Sequence, residues 1–398
     1  MYLERPYFKT IKKRIVEKRN LIQVITGPRQ VGKTTMIRQL VKSDIMPSMY
    51  VTADAAPAAG SIWLSGIWNE ARLKLLNEPS NEFLLIIDEI QKVDNWSETV
   101  KKEWDTDTFN EVPLKVIILG SSRLLIQQGL TESLAGRFEV TYVPHWSFSE
   151  MQTAFDIGVD KYIWFGGYPG STSLMKDEDR WRNYVVNAIV ETAISKDILM
   201  LTRIEKPALL KRLFEIGCYF SSQIVSLTKI QGELQEKGNI TTLSLYLSLL
   251  QDAGLLCGLS KYTNDAMFIK RGSKPKFQVF NNALMSSITD NTFKGVKSDP
   301  ALWGRHVESA VGTHLLNSSI IQGFQLHYWN ENSREVDFVI EKNGVVVGIE
   351  VKSGKSSYNE GMALFAKKYQ PKSMFIVGTD GIPIEEFLSM DVLSLFDV

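Results

Sequence analysis

The chain has 398 residues, 44% of them hydrophobic, and its 45 basic residues are balanced by 45 acidic ones. That length exceeds one typical domain of roughly 100 to 200 residues, so two or three cores are expected. The composition is that of an ordinary soluble globular protein, and the neutral balance excludes bulk charge as a route to nucleic acid.

The first twenty residues hold the one local basic run, with Arg5, Lys9, Lys12, Lys13, Arg14, Lys18 and Arg19 against Glu4 and Glu17. It reads either as a binding surface or as a solvated helix face. Four apolar runs follow, LIQVITG, SMYVTAD, FLLIID and KVIILGSS, separated by segments of helical length. Buried strands spaced in this way predict a parallel α/β sheet with covered faces. The first strand runs into GPRQVGKTT, a P-loop pattern in its strand-loop-helix setting. Gly27 and Gly32 let the loop wrap phosphates, so that Gly27, Pro28, Arg29, Gln30, Val31, Gly32, Lys33, Thr34 and Thr35 form the expected ATP cradle. Lys33 would reach the outer phosphates and the Thr34 hydroxyl would ligate magnesium.

The strand FLLIID ends in Asp88 and Glu89. Two acids after a strand can be no more than a solvated strand end. Beside a P-loop they read as a Walker B pair, Asp88 holding magnesium through water and Glu89 orienting the attacking water. The strand KVIIL ends in Ser121 and Ser122, either of which could sense the γ-phosphate, and LAGRFEV carries Arg137, which could neutralise charge in its own subunit or a neighbour's.

The expected organisation is a P-loop domain over 1–170, a helical connector over 171–204, a winged helix over 205–272 and a further α/β domain over 273–398. Three helical stretches followed by a short hairpin around SKYTNDAMFIKRG carry the winged-helix reading. Its groove-reading helix would be NITTLSLYLSLLQDAG, with Thr241, Thr242 and Ser244 exposed and Lys229, Lys237, Lys261, Lys270 and Arg271 flanking it. Such basic content is modest for a DNA reader, and the same helices could serve a protein partner or act as a nucleotide-responsive lid. Cys218 and Cys257 read as core thiols in a reducing compartment, and the four histidines suggest no zinc site. No run approaches the roughly 20 apolar residues that span a bilayer, which reads as a cytoplasmic protein with no membrane partner.

Near the C-terminus, REVDFVI places Asp337 with twelve residues between it and Glu350 in VVVGIEVK, and Lys352 on the same strand face as Glu350. Asp, then Glu-x-Lys on the next strand, is the core of the PD-(D/E)XK nuclease pattern, in which acids hold magnesium and the lysine orients water. Glu308 would add a helix-borne acid. The same residues could instead form a structural ion-pair cluster.

The succession GPRQVGKTT, IIDEIQKVDNW, ILGSS, SLAGRFEV, PHWSFSEM and GGYP resembles a prokaryotic AAA-type ATPase family over essentially the full chain. These are archaeal-type or ORC-like ATPases, whose AAA module is followed by a winged helix and a C-terminal domain of unknown function related to restriction-endonuclease-like nucleases. The resemblance implies an ATP hydrolase using magnesium, with Ser121 or Ser122 as first sensor and Arg137 as second-sensor or finger arginine. It also implies DNA as partner, with self-association or a protein partner as further possibilities. The sequence departs from the family where FNNALM has Asn281 and Ala283 in place of the usual aspartate and glycine.

Overall fold

The computed structural model describes residues 3–55, 60–79, 82–120, 133–199, 204–234, 239–264, 274–354 and 360–397. The chain divides into two units, Met1–Pro144 and His145–Val398. Unit one is built on five parallel strands in the order β2-β3-β4-β1-β5: β1 Ile22–Thr26, β2 Ser48–Thr52, β3 Phe83–Asp88, β4 Leu114–Leu119 and β5 Phe138–Tyr142. Helices α1 Pro6–Val16, α2 Lys33–Lys42, α3 Gly60–Leu76 and α4 Trp96–Phe109 accompany them.

Strand alternation sorts the core into two layers, because successive side chains point to opposite faces. Ile22, Val24, Phe83, Leu85, Ile87, Leu114, Val116 and Ile118 pack with Trp68 of α3 and Trp104 of α4. Ile25, Leu84, Ile86, Ile117 and Leu119 pack with Phe8 and Ile11 of α1 and Met36 and Ile37 of α2. The same parity puts Asp88, two residues beyond Ile86, on the α2 face.

The expected four strands are present, and a fifth, β5, was not foreseen. Its side chains are mostly half-exposed, so it carries no apolar run to betray it.

Unit two holds a six-stranded mixed sheet in the order β11-β10-β9-β8-β6-β7. Its strands are β6 Leu256–Lys261, β7 Lys276–Val279, β8 Gln325–Glu331, β9 Arg334–Lys342, β10 Val345–Lys352 and β11 Ser373–Gly378. The helices Pro207–Tyr219, Leu227–Glu233 and Ile240–Asp252 precede β6, and the long helix Pro300–Gln322 shares a core with β9 and β10 through Val311, Leu315, Phe338, Ile340 and Ile349. Between residues 171 and 199, helix Glu178–Asn183 continues into wider π-helical turns.

The three middle helices are present, but most of the expected hairpin around SKYTNDAMFIKRG, with Lys270 and Arg271, lies outside the described residues, as does Lys237; β6 pairs instead with β7, the strand expected to open the next domain. They do not stand apart as a winged-helix domain, because β6 also pairs in parallel with β8 and so belongs to the larger sheet. The expected boundary at residue 170 likewise falls inside unit two. The GGYP turn belongs there too: Gly166 has φ +68°, and the Gly167 N–H donates to Asn281 Oδ1 at 3.0 Å. Asn281 thereby ties the turn to the helix it caps through the Ala283 N–H, so the departure from the family pattern at this position leaves the turn intact.

Candidate nucleotide site

The P-loop joins the C-terminal end of β1 to the start of α2, where ligands of open parallel sheets bind. Gly27 has φ +149°, and a Cβ there would be driven into the Val143 carbonyl. Only glycine lets the loop lie this close to the chain leaving β5. Gly32, at φ +91°, opens α2 with no capping side chain and no acid in the first turn. A helix start so composed presents its positive end to an anion. Lys33 is buried, and its ammonium donates to the carbonyls of Gly27 at 2.7 Å and Pro28 at 2.8 Å. Pro28 and Val31 are buried, Arg29 and Thr34 half-buried, and Gln30 and Thr35 exposed along the loop and first turn.

Asp88 is buried at the tip of β3, and its carboxylate collects donors from three elements. The Thr34 hydroxyl donates to Oδ2 at 3.0 Å, the Tyr50 phenol to the same oxygen at 2.7 Å, and the Glu89 N–H to Oδ1 at 2.9 Å. Thr34 and Asp88, fifty-four residues apart, therefore meet as the P-loop and Walker B reading requires. Glu89 adopts a left-handed backbone at φ +53°, uncommon for a residue with a side chain, and its carboxylate accepts from Gln91 Nε2 at 2.6 Å. Such strain collects at functional positions. The residues present fit ATP with magnesium: a glycine cradle, a buried ammonium, a threonine hydroxyl and a fixed aspartate. Ser121 and Ser122 lie outside the described residues.

Arg137 does not join this site. It precedes β5, which runs parallel to β1, and its carbonyl accepts from the N–H of Ile22 at the start of β1. At about 3.3 Å per residue the P-loop end of the sheet is roughly 15 Å away. Its guanidinium is forked onto Asp105, Nε to Oδ1 at 2.7 Å and Nη2 to Oδ2 at 3.0 Å, which lowers the Asp105 carboxyl below its ordinary range. As a sensor of its own subunit's nucleotide the arginine is ruled out by this placement.

Arg5 is the contact that the sequence did not disclose. It is buried, and its Nη1 donates to the Val31 carbonyl at 3.0 Å and the Pro144 carbonyl at 3.1 Å, bracing the P-loop from behind. Arg14 binds Thr141 and Glu139, and Arg19 lies 3.5 Å over the Trp104 ring. The N-terminal basic run is thus partly internal structure, with Lys9, Lys12, Lys13 and Lys18 left as an exposed face.

In unit two, Glu308, Asp337, Glu350 and Lys352 do come together, with two further members. Lys276 of β7 is fully buried, and its ammonium lies 2.6 Å from Glu308, 3.2 Å from Glu335 and 3.5 Å from Asp337. Asp337 Oδ2 accepts from the Val351 N–H at 2.8 Å, and Lys352 pairs with Glu350 at 2.7 Å. Burial and the neighbouring Asp337 push the Glu308 carboxyl up to about 8 and the Glu350 carboxyl up to about 7. Burial alone would lower the Lys276 ammonium, but the three carboxylates outweigh it and raise it.

Four carboxyls against two ammoniums leave two carboxyls in excess, and the two pushed furthest up can hold protons. Among the described residues no group of three or more acids, cysteines or histidines is arranged to hold a metal ion. Lys276 lies between Glu308, Glu335 and Asp337, so the geometry described is that of the ion-pair cluster, the alternative reading of these residues. Cys218 and Cys257 are buried, free thiols, raised by burial. No helix of the described residues is long and apolar enough to cross a membrane.

Residues 19–152 match the family model of an AAA domain, 157–294 a domain of unknown function (DUF8612) and 303–392 a second (DUF4143). An uncharacterized protein of Methanocaldococcus jannaschii is 25% identical over 340 residues, which cover 81% of this chain and 72% of that one. An uncharacterized protein of Mycobacterium tuberculosis is 24% identical over 341 residues, covering 83% and 70%. Among solved structures, AMPPCP-bound DnaA from Aquifex aeolicus covers 63% of this chain and 90% of its own at 16% identity and TM-score 0.34. Likenesses to structures at that level carry no functional argument. The AAA domain is where family model, sheet order and P-loop geometry coincide.

Proposed function

We propose that this chain, whose residues 19–152 form an AAA domain, is an ATP hydrolase that uses its nucleotide state as a switch. The observation that carries the reading is the meeting of Thr34 and Asp88 beside a buried Lys33 at the start of α2. The backbone of residues 27–32 and the α2 N-terminus would hold the phosphates, and Lys33 would exchange its two carbonyl acceptors for phosphate oxygens. Magnesium, when bound through Thr34 and Asp88, would supply charge neutralisation on the phosphates. Glu89 would accept a proton from, or orient, the attacking water. Arg137 can reach a nucleotide only in a neighbouring subunit.

The test is phosphate release from ATP in magnesium alongside nucleotide binding. Glu89→Gln is expected to bind ATP as the wild type does while releasing phosphate at least tenfold more slowly. Turnover unchanged in that variant would refute the role of Glu89.

For unit two the reading is binding without cutting, with DNA as the proposed partner. Three helices leading into an antiparallel strand pair support it, as does the exposed face of helix Ile240–Asp252 with Thr241, Ser244 and Ser248. The saturation of Glu308 and Asp337 by Lys276 speaks against cleavage. Labelled linear, circular and single-stranded DNA is expected to stay intact in magnesium or manganese, with or without ATP, and to shift on a native gel. Cleavage that Glu350→Ala abolishes would restore the nuclease reading. Intact and unshifted DNA would favour the second reading, a switch whose partner is a protein, which the modest basic content of those helices already supports.

A further inference from the structure

Tyr50 lies on β2, next to β3, in the register Tyr50 with Ile86 and Thr52 with Asp88. Its parity puts it on the α2 face of the sheet, against the core that holds Ile86 and Ile37. From there the half-buried ring reaches along the strand tips, and its hydroxyl donates to Asp88 Oδ2 at 2.7 Å. Of the three donors on that carboxylate, Thr34 is itself a prospective magnesium ligand and the Glu89 N–H is backbone that no side-chain change removes. Tyr50 is the remaining contact, and it comes from an edge strand that contributes nothing else to the site.

We propose that Tyr50 is a positioning residue for magnesium. Its hydroxyl fixes the orientation of Asp88 and withdraws charge from the oxygen that Thr34 shares. With magnesium held through Thr34 and Asp88, the Tyr50 hydroxyl would keep the aspartate in the orientation seen here. Groups that orient a metal's partners in this way commonly change metal affinity by about 10- to 100-fold. The inference rests on the reading of the P-loop as an ATP site, and the two can fail separately.

The experiment is binding of a fluorescent ADP analogue to the full chain, titrated with magnesium, for the wild type and Tyr50→Phe. Thermal unfolding without nucleotide shows that the variant is folded. The expected result is a half-saturating magnesium concentration about tenfold higher in Tyr50→Phe. Affinity for the analogue without magnesium should stay within twofold of wild type, and manganese, which binds nitrogen and oxygen ligands more tightly than magnesium, should recover most of the shift. Superimposable magnesium curves would overturn the role of Tyr50 and leave the P-loop reading standing. An equal loss of affinity at every magnesium concentration would also overturn it, because it would mark a structural effect. A wild type that binds no nucleotide at all would overturn both.

Discussion

Both units hold a buried lysine, and the two sit in different company. Lys33 donates to two neutral carbonyls of its own loop, at a helix start with no acid in the first turn. A cation at the positive end of a helix gains from the arrival of an anion. Lys276 is held by three carboxylates, Glu308, Glu335 and Asp337. The two lysines differ in their surroundings, a glycine loop and a helix start for Lys33 and three carboxylates for Lys276, not in residue type.

The contrast can be broken most forcefully at Lys276. Removing one partner of a buried charge cluster strands the others, so Lys276→Met is expected to destabilise unit two by about 3–5 kcal/mol in urea unfolding. A loss under about 1 kcal/mol would mean that the cluster is not closed by its lysine.

Lys33→Ala is expected to weaken nucleotide binding or turnover by about 100-fold, roughly 2.7 kcal/mol at 1.36 kcal/mol per decade, with little change in unfolding without nucleotide. The asymmetry between the two lysine variants, one costing stability and the other function, is the sharpest form of the comparison.

A pH titration sharpens it further. Glu350 has a folded-state value of about 7, above its unfolded one, so the folded protein binds the extra proton between roughly pH 4.5 and 7. Its contribution is therefore fully present at low pH and is lost as pH rises through about 7. Unfolding free energy is expected to fall by about 3 kcal/mol across that window, and Glu350→Gln should flatten the slope. An unchanged slope in the variant would place the titrating group elsewhere.

The smallest effect is expected at Arg137. Its pair with Asp105 is partly exposed, and such pairs contribute about 0.2–1 kcal/mol. Arg137→Ala should cost no more than that in stability and leave nucleotide affinity unchanged. A tenfold loss of turnover that depends on protein concentration would show the arginine acting on a neighbouring subunit.

The parts of this account that were legible in the sequence are those with a fixed local pattern. GPRQVGKTT and IIDEI carry their chemistry in contiguous residues, and strand parity alone puts Asp88 on the face of α2. The sequence left open whether Arg137 serves its own subunit or a neighbour's, because FEVTY, half-exposed in the sheet, has no apolar run to announce it as β5. Read as a strand parallel to β1, it would have put the preceding arginine at the wrong end of the sheet.

Tyr50 and Arg5 were missed because their roles depend on what folds against them, Asp88 thirty-eight residues on and Pro144 at the end of unit one. Lys276 did leave a trace, a lysine opening the buried strand KFQV. Its partners come from a helix and from β9, so only the assembled sheet distinguishes an internal counter-ion from a surface lysine. Helical periodicity located the three middle helices in chain order. It missed the pairing of β6 with β8, which periodicity within one segment cannot reveal.

The most direct test of open site against closed cluster is a count of bound manganese by electron paramagnetic resonance on the full chain, with and without an unhydrolysable ATP analogue. The account predicts one ion per chain that appears only with the nucleotide, is weakened by Asp88→Asn and is indifferent to Glu350→Gln. An ion that binds without nucleotide and disappears in Glu350→Gln would contradict it, because the acids of unit two would then hold a metal rather than close on lysines alone.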